Sequence, residues 1–260
     1  MTASPMSPRE MHKAYAAQQF ARLRRSLGIV AVAIVSALAL RTFVAEPFNI
    51  PSGSMLPSLE GGDYLFVAKW PYGFGRYSPP IVIPWLTGRL GGRLPRRGDV
   101  VVFKTPSDNR TDFIKRVVGL PGDRVRMTHG QLELNGTLVP KLRARDFVLR
   151  GSAGTRCHGQ QRAARDCRYA RFVETIDGRS FAVLDQVADG PHDDTPLAVV
   201  PPDHLFVAGD NRDDSADSRL TTAEGGVGMV PVDNLIGRAE VVLFSTRTGR
   251  IGFDRVGRRL

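Results

Sequence analysis

The sequence predicts a mainly β fold carried on one N-terminal transmembrane helix, on three observations. From Ser26 to Leu40 the chain reads SLGIVAVAIVSALAL without a charge. Beyond Glu46-Pro47, short apolar runs alternate with Gly, Pro and Asp, as strands joined by tight turns do. Long amphipathic helical patterns are absent from that second region. With 260 residues, 42% of them hydrophobic and 24% charged, the chain can bury a sizeable core and is no candidate for wholesale disorder.

Residues 10–25 read as a basic helix leading into the membrane. Residues 1–25 carry Arg9, Lys13, Arg22, Arg24 and Arg25 against Glu10. This positive flank predicts a cytoplasmic N-terminus, with everything after the span outside. The span is taken as 26–44, about eighteen residues from Leu27 and near the lower limit for crossing. Arg41, close to its end, can snorkel to the interface. Ala37-Leu38-Ala39 also fits the small-x-small rule of a cleaved signal peptide. The long charged leader and the renewed apolar character at Phe43, Val44 and Phe48 favour a retained anchor. The net charge of +10 suits lipid better than nucleic acid. The basic block abuts an apolar run, and no nucleic-acid-binding motif is visible.

After the span, the predicted strands are Tyr64–Ala68, Val100–Lys104, Phe113–Val118, Arg124–Met127, Phe181–Leu184, Leu205–Ala208 and Arg238–Phe244. Gly61-Gly62-Asp63, Arg97-Gly98-Asp99 and Pro121-Gly122-Asp123 supply turns before three of them, and Asn135-Gly136 marks a hairpin. Residues 70–97, with Trp70, Tyr72, Phe74, Tyr77, Trp85 and several prolines, are too proline-rich for a central strand. They read as a packed loop or an interfacial element. Residues 140–180, rich in Arg, read as an inserted hairpin or subdomain. They contain Cys157 and Cys167, a candidate disulfide in an oxidising compartment. Two unpaired thiols remain an alternative. Metal binding with His158 lacks a four-ligand pattern, and neither metal nor cofactor is expected.

A serine hydroxyl becomes a nucleophile only when a base takes its proton. The histidines, His12, His129, His158, His192 and His204, form no recognisable triad motif. A lysine among apolar neighbours is the other route, because desolvation penalises the ammonium form. Lys115 has Phe113 and Ile114 before it and Val117, Val118 and Leu120 after it; in a strand, Phe113, Lys115 and Val117 share a face. Periodicity alone favours a blander reading, a lysine protecting a sheet edge with Arg116 turned the other way. Ser52 and Ser54 alone read as turn residues, with Gly53 between them permitting close backbone approach.

Four segments together carry more. Glu46-Pro47-Phe48-Asn49-Ile50-Pro51-Ser52-Gly53-Ser54-Met55, residues 97–103 (RGDVVVF), residues 113–123 (FIKRVVGLPGD) and residues 209–219 (GDNRDDSADSR) resemble, in order, the bacterial type I signal peptidases. These leader peptidases are membrane-anchored serine endopeptidases of a Ser/Lys dyad clan. The resemblance implies antiparallel sheets forming a signal-peptidase-like catalytic domain with an inserted β-rich subdomain. It implies Ser54 as nucleophile and Lys115 as general base. Ser52 and the Ser54 N–H would form the oxyanion hole, Ser215 would orient the lysine amine, and Asp217 and Arg219 would form a supporting ion pair. An extended substrate would lie against Phe48, Ile50, Pro51, Met55, Leu59, Leu65, Asp112, Phe113 and Ile114, whose bulk leaves room for small side chains and hence Ala-x-Ala sites. Phe113 stands where the family often has Tyr, and Asp214 where Asn is frequent.

The expected organisation is a cytoplasmic N-terminus at 1–25, an anchor at 26–44 in the bacterial inner membrane, and a periplasmic catalytic domain at 45–260. The expected partners are signal peptides of exported preproteins, membrane lipid and a nearby secretion translocon, with no nucleic acid. The rivals are a specialised Ser/Lys peptidase, such as a conjugation-associated maturation protease, and a non-catalytic membrane-anchored peptide-binding scaffold.

Overall fold

The computed structural model describes residues 8–79, 82–155, 164–187, 189–246 and 250–260. Helix α1 runs unbroken from Pro8 to Phe43, joining the basic leader and the apolar span. Within it, Gln18–Phe43 is long and apolar enough to cross a membrane. Its Leu, Ile and Val side chains are exposed rather than packed on the rest of the chain, unlike those of a core helix. Only Val44 separates α1 from the first strand; its N–H donates to Leu40 O at 2.9 Å, and its carbonyl accepts from the Lys69 N–H at 3.2 Å.

The strands are β1 (Ala45–Asn49), β2 (Asp63–Ala68), β3 (Val100–Lys104), β4 (Asp112–Gly119), β5 (Arg124–Thr128), β6 (Gln131–Leu134), β7 (Thr137–Leu138), β8 (Lys141–Thr155), β9 (Ala164–Ile176), β10 (Arg179–Leu184), β11 (Ala198–Val199), β12 (His204–Ala208), β13 (Val230–Pro231) and β14 (Leu235–Ser245). A seven-stranded sheet has the order β1-β2-β14-β3-β4-β12-β13. A four-stranded sheet has the order β11-β5-β6-β7, and a three-stranded one β10-β9-β8. All pairings between these strands are antiparallel, so the mainly β reading holds. Each strand read from the sequence is present within a few residues of its expected ends.

Local chemistry explains the pattern. Pro47 is tolerated because β1 is an edge strand. The hairpin between β6 and β7 turns on Asn135 and Gly136, both at positive φ, as a type I′ turn requires. The described residues of 140–180 form the antiparallel pair β8–β9 and part of β10. Cys167 on β9 is buried, while Cys157 lies outside the described residues. Of residues 70–97, a short 3-10 turn at Trp70–Tyr72 begins a partly buried stretch to 79, whereas 82–94 is irregular and largely exposed. Arg89 reaches back to the turn, donating to the carbonyls of Tyr72, Gly73 and Leu235 at 2.7–2.8 Å. Trp70 and Trp85 nevertheless remain exposed, at 50% and 83%. The loop meets α1 through an edge-on contact of Phe74 with Phe43, 5.2 Å between ring centres.

Candidate active site

Ser54 sits in the excursion between β1 and β2. The stem is closed where the Ile50 N–H donates to Asp63 O at 2.9 Å and the Gly62 N–H to Ile50 O at 2.7 Å. Met55 and Leu59, fully buried, pack with Ile50, Leu65 and Ile114 in one core cluster that Phe48 borders. Burial of such side chains contributes roughly 2 kcal/mol each, so apolar packing draws the serine turn down onto the sheet. The Leu56 N–H bonds Gly53 O at 3.0 Å and tightens the turn around Ser54.

Lys115 lies on β4, paired with β3 on one side and just past the point where β12 stops on the other; it is buried rather than a solvent-facing lysine guarding a sheet edge. Its side chain shares a face with Phe113 and Val117, and its Nζ stands 5.3 Å from the Phe113 ring centre. β12 pairs with β4 only as far as Ala208 opposite Arg116. Beyond Ala208 the chain leaves the sheet. Lys115 Nζ bonds Ser54 Oγ at 2.7 Å, with both residues buried. Ser52 Oγ lies 3.3 Å from Ser54 Oγ. Among the described residues, no histidine bonds the Ser54 hydroxyl.

Burial lowers the Lys115 pKa from 10.5 to about 8. Asp217 and Asp210 act against that shift, Arg219 with it, and Asp214 weakly against it. Asp217 is itself fully buried, which acts to raise its pKa, yet Arg219 and the Gly209 N–H hold it below the ordinary carboxylate range. The Arg219 guanidinium grips both Asp217 oxygens at 2.9 Å, and the Gly209 N–H donates to Oδ2 at 2.9 Å.

The 209–219 run also holds the Ser54 turn from behind. The Asn211 N–H donates to Ser54 O at 3.1 Å and its Nδ2 to Gly53 O at 3.1 Å. Its Oδ1 accepts from Gln186 Nε2 at 2.8 Å. Gly209 has no room for a side chain: a Cβ there would lie 2.2 Å from Ser215 Oγ and 2.6 Å from Ser54 O. Ser215 Oγ is buried in this contact and bonds no other group. The run is bolted down by two buried, two-pronged ion pairs, Arg116 with Asp210 and Arg212 with Glu174, all four bonds at 2.7 Å. Arg116 also lies over the Phe181 ring at 4.2 Å.

The positions expected to meet substrate divide into two groups. Phe48, Ile50, Met55, Leu59, Leu65 and Ile114 gather in the core beneath the Ser54 turn, and Phe113 packs against a neighbouring cluster. Pro51 and Asp112 are exposed, and Asp112 pairs with Lys104 at 2.7 Å. A cavity of about 550 Å³ lies away from Ser54, lined by Gly98, Arg116, Arg179, Arg238 and Arg258 among others. One cluster has the makings of a cation site: Asp185, Asp193 and Asp213 bring one oxygen each within 4.8 Å of one another. Their charge is already met by Lys141 on Asp185 and by the N–H groups of Gly190, Gln186 and Val187.

A profile described as "Signal peptidase, peptidase S26" matches residues 23–244. The chain belongs to the signal peptidase family. As a member it is a serine endopeptidase whose substrates are signal peptides, and α1 is suited to anchor it in a membrane. The chain is similar to Signal peptidase I of Rickettsia conorii, with 31% identity over 233 residues, 86% of this chain and 80% of the relative. It is likewise similar to Signal peptidase I of Rickettsia typhi, with 33% identity over 223 residues, 82% and 77% of the two chains. A solved signal peptidase I from Enterococcus faecalis V583 is 23% identical and covers 56% of this chain and 97% of its own, but its TM-score of 0.30 is too low to bear on the fold.

Sequence reasoning missed Asn211, Gly209, Asp210 with Arg116, and Arg212 with Glu174. All but Glu174 lay inside the quoted motifs. Their work is done by backbone contact and burial, which residue type alone does not announce.

Proposed function

We propose that this signal peptidase cuts preproteins with a Ser54 nucleophile and a Lys115 general base, after small-x-small sites such as Ala-x-Ala. The observation that carries the reading is the 2.7 Å bond between Lys115 Nζ and Ser54 Oγ in a buried setting. A desolvated amine with a pKa near 8 is neutral in a useful fraction of molecules at neutral pH. It then accepts the Ser54 proton as Oγ attacks the scissile carbonyl, and returns that proton to the leaving amine. Water, activated by the same amine, hydrolyses the acyl-enzyme. Among the described residues the Ser54 N–H has no intramolecular acceptor, which leaves it free, with the nearby Ser52 hydroxyl, to bind the oxyanion. Such a donor is worth roughly 3 kcal/mol. Asp217 and Arg219 hold the lysine's surroundings rigid. Ser215, packed on Gly209 beside the Ser54 turn, is proposed to orient the amine, although its hydroxyl makes no bond to Lys115.

The first half of β4 supports strand addition. Asp112–Lys115 pair with β3 on one side, and β12 does not reach them on the other. An extended signal peptide laid along that free edge passes Ser54, with backbone bonds giving affinity. The bulky cluster beneath leaves room for small side chains only.

The proposed placement has residues 1–25 in the cytoplasm, 26–44 in the inner membrane and 45–260 in the periplasm, with an insertion at about 140–180 closed by Cys157–Cys167. Trp70, exposed next to Lys69, which bonds Val44 at the end of α1, and the exposed Trp85 would rest at the lipid headgroups near the translocon. The deciding experiment is processing of a model preprotein by wild type, Ser54→Ala and Lys115→Ala, with the product N-terminus sequenced. Loss of cleavage on the order of 10⁴-fold or more in both variants is expected; near-normal turnover in either sinks the dyad.

A further inference from the structure

We propose that residues 250–260 form a strap that positions Ser54, with Arg255 and Arg258 acting as positioning residues on the return limb of the serine loop. The inference rests on the Ser54–Lys115 reading above. It concerns a part of the chain beyond the 23–244 matched by the family profile.

The loop between β1 and β2 is tied to the sheet at its stem and by its apolar plugs, but Pro57–Gly62 has no strand alongside it. The strap supplies the missing support. The Arg255 guanidinium bonds Glu60 Oε1 at 2.5 Å, both Asp63 oxygens at 3.1 Å and Ser58 O at 3.2 Å. All three charged side chains are nearly buried, at 10%, 7% and 0% exposure for Arg255, Glu60 and Asp63. One planar cation thus fixes three points of the loop, which a guanidinium fork can do and an ammonium cannot. Arg258 adds a fourth, donating to Pro57 O at 3.0 Å. Pro57 is three residues from Ser54.

The strap is in turn locked to β14. Ser245 and Gly252 exchange bonds at 2.9 and 2.7 Å, and Val242 bonds Arg258 and Gly257 at 3.1 and 3.0 Å. Leu260 packs on the cluster that contains Met55 and Leu59. The return limb is therefore held between β14's attachment and the core. A shift of that limb moves Ser54 off Lys115 Nζ, and displacement of a reacting group by about 1 Å can lower a rate by up to a hundredfold.

The test uses the full chain in detergent and a synthetic signal-peptide substrate with an Ala-x-Ala site. Rates, thermal unfolding and pH profiles are measured for Arg258→Ala, Arg255→Ala, Arg255→Lys and, as a control, the exposed Phe253→Ala. Expected are a fall in kcat of ten- to a hundredfold for Arg258→Ala and Arg255→Ala, with KM within about twofold and the acid limb of the pH–rate profile displaced. Arg255→Lys should recover part of the loss, and Phe253→Ala should match wild type. Wild-type kcat and pH profile in Arg258→Ala and Arg255→Lys, whatever their melting temperatures, overturn the strap. Should Arg255→Ala fail to fold, those two variants still decide. Activity retained in Ser54→Ala or Lys115→Ala would instead overturn the dyad, so the two failures are distinguishable.

Discussion

The Lys115 amine is held between burial, which disfavours its charge, and Asp217 and Asp210, which favour it. At the residue scale this balance makes three predictions. First, kcat/KM should rise about tenfold per pH unit on the acid side and level off above about pH 8; an acid limb near 6.5 that vanishes with a histidine would contradict the lysine base. Second, Lys115→Arg should be inactive, because guanidinium stays protonated. Third, Lys115→Met should be inactive yet more stable than wild type at pH 7. Between about pH 8 and 10.5 the unfolded wild-type chain binds one more proton at this lysine than the folded one. Wild-type stability at this site therefore rises with pH in that window, and the gap to Lys115→Met should narrow there. Denaturant titrations at pH 7 and pH 10 check it; a constant gap would mean that Lys115 titrates normally. Ser54 and Lys115 were legible because motifs quoted together constrain each other. Asn211 was not, because its two bonds to Gly53 and Ser54 cross the whole length between the motifs and depend on backbone position.

Among the elements, the 209–219 run is a segment without regular structure, held by ion pairs, close packing and hydrogen bonds to the Ser54 turn and Leu184. Glu174→Ala would leave Arg212 buried and unpaired, an effect of about 3–5 kcal/mol, read as a lower denaturation midpoint. Gly209→Ala should cost about 1–3 kcal/mol through overpacking and lower kcat as well, since the added methyl pushes on both Ser215 and Ser54. Stability loss with kcat intact would show that the turn absorbs the methyl elsewhere. The short strands were legible from alternation and turn residues. β1 was not read as a strand, because Pro47 argues against a central strand and only its edge position admits it. The β8–β9 pair was legible as an inserted hairpin or subdomain but without its strand bounds, since its alternation is broken where the pairing slips between Ala144 and Phe147.

For the whole molecule, hydropathy was enough to find the long apolar helix, whereas nothing in the sequence joined the last eleven residues to the Ser54 loop. That junction is made by Arg255 across nearly two hundred residues, and a lone Arg in a basic tail gives no sign of its partners. Removing residues 1–44 should leave cleavage of a soluble peptide largely intact while sharply reducing processing of a preprotein inserted in vesicles; equal loss of both would mean that α1 stabilises the site itself. The join between α1 and β1 has a mechanical consequence. A single residue, bonded on both sides, couples the axis of α1 to an edge strand that leads into the Ser54 loop, so no slack tether separates them. With α1 in a bilayer, that join would fix the height at which a substrate's backbone is cut, and a Gly-Ser spacer inserted after Val44 should then spoil the choice of bond in a membrane-held preprotein while sparing the chemistry on a free peptide.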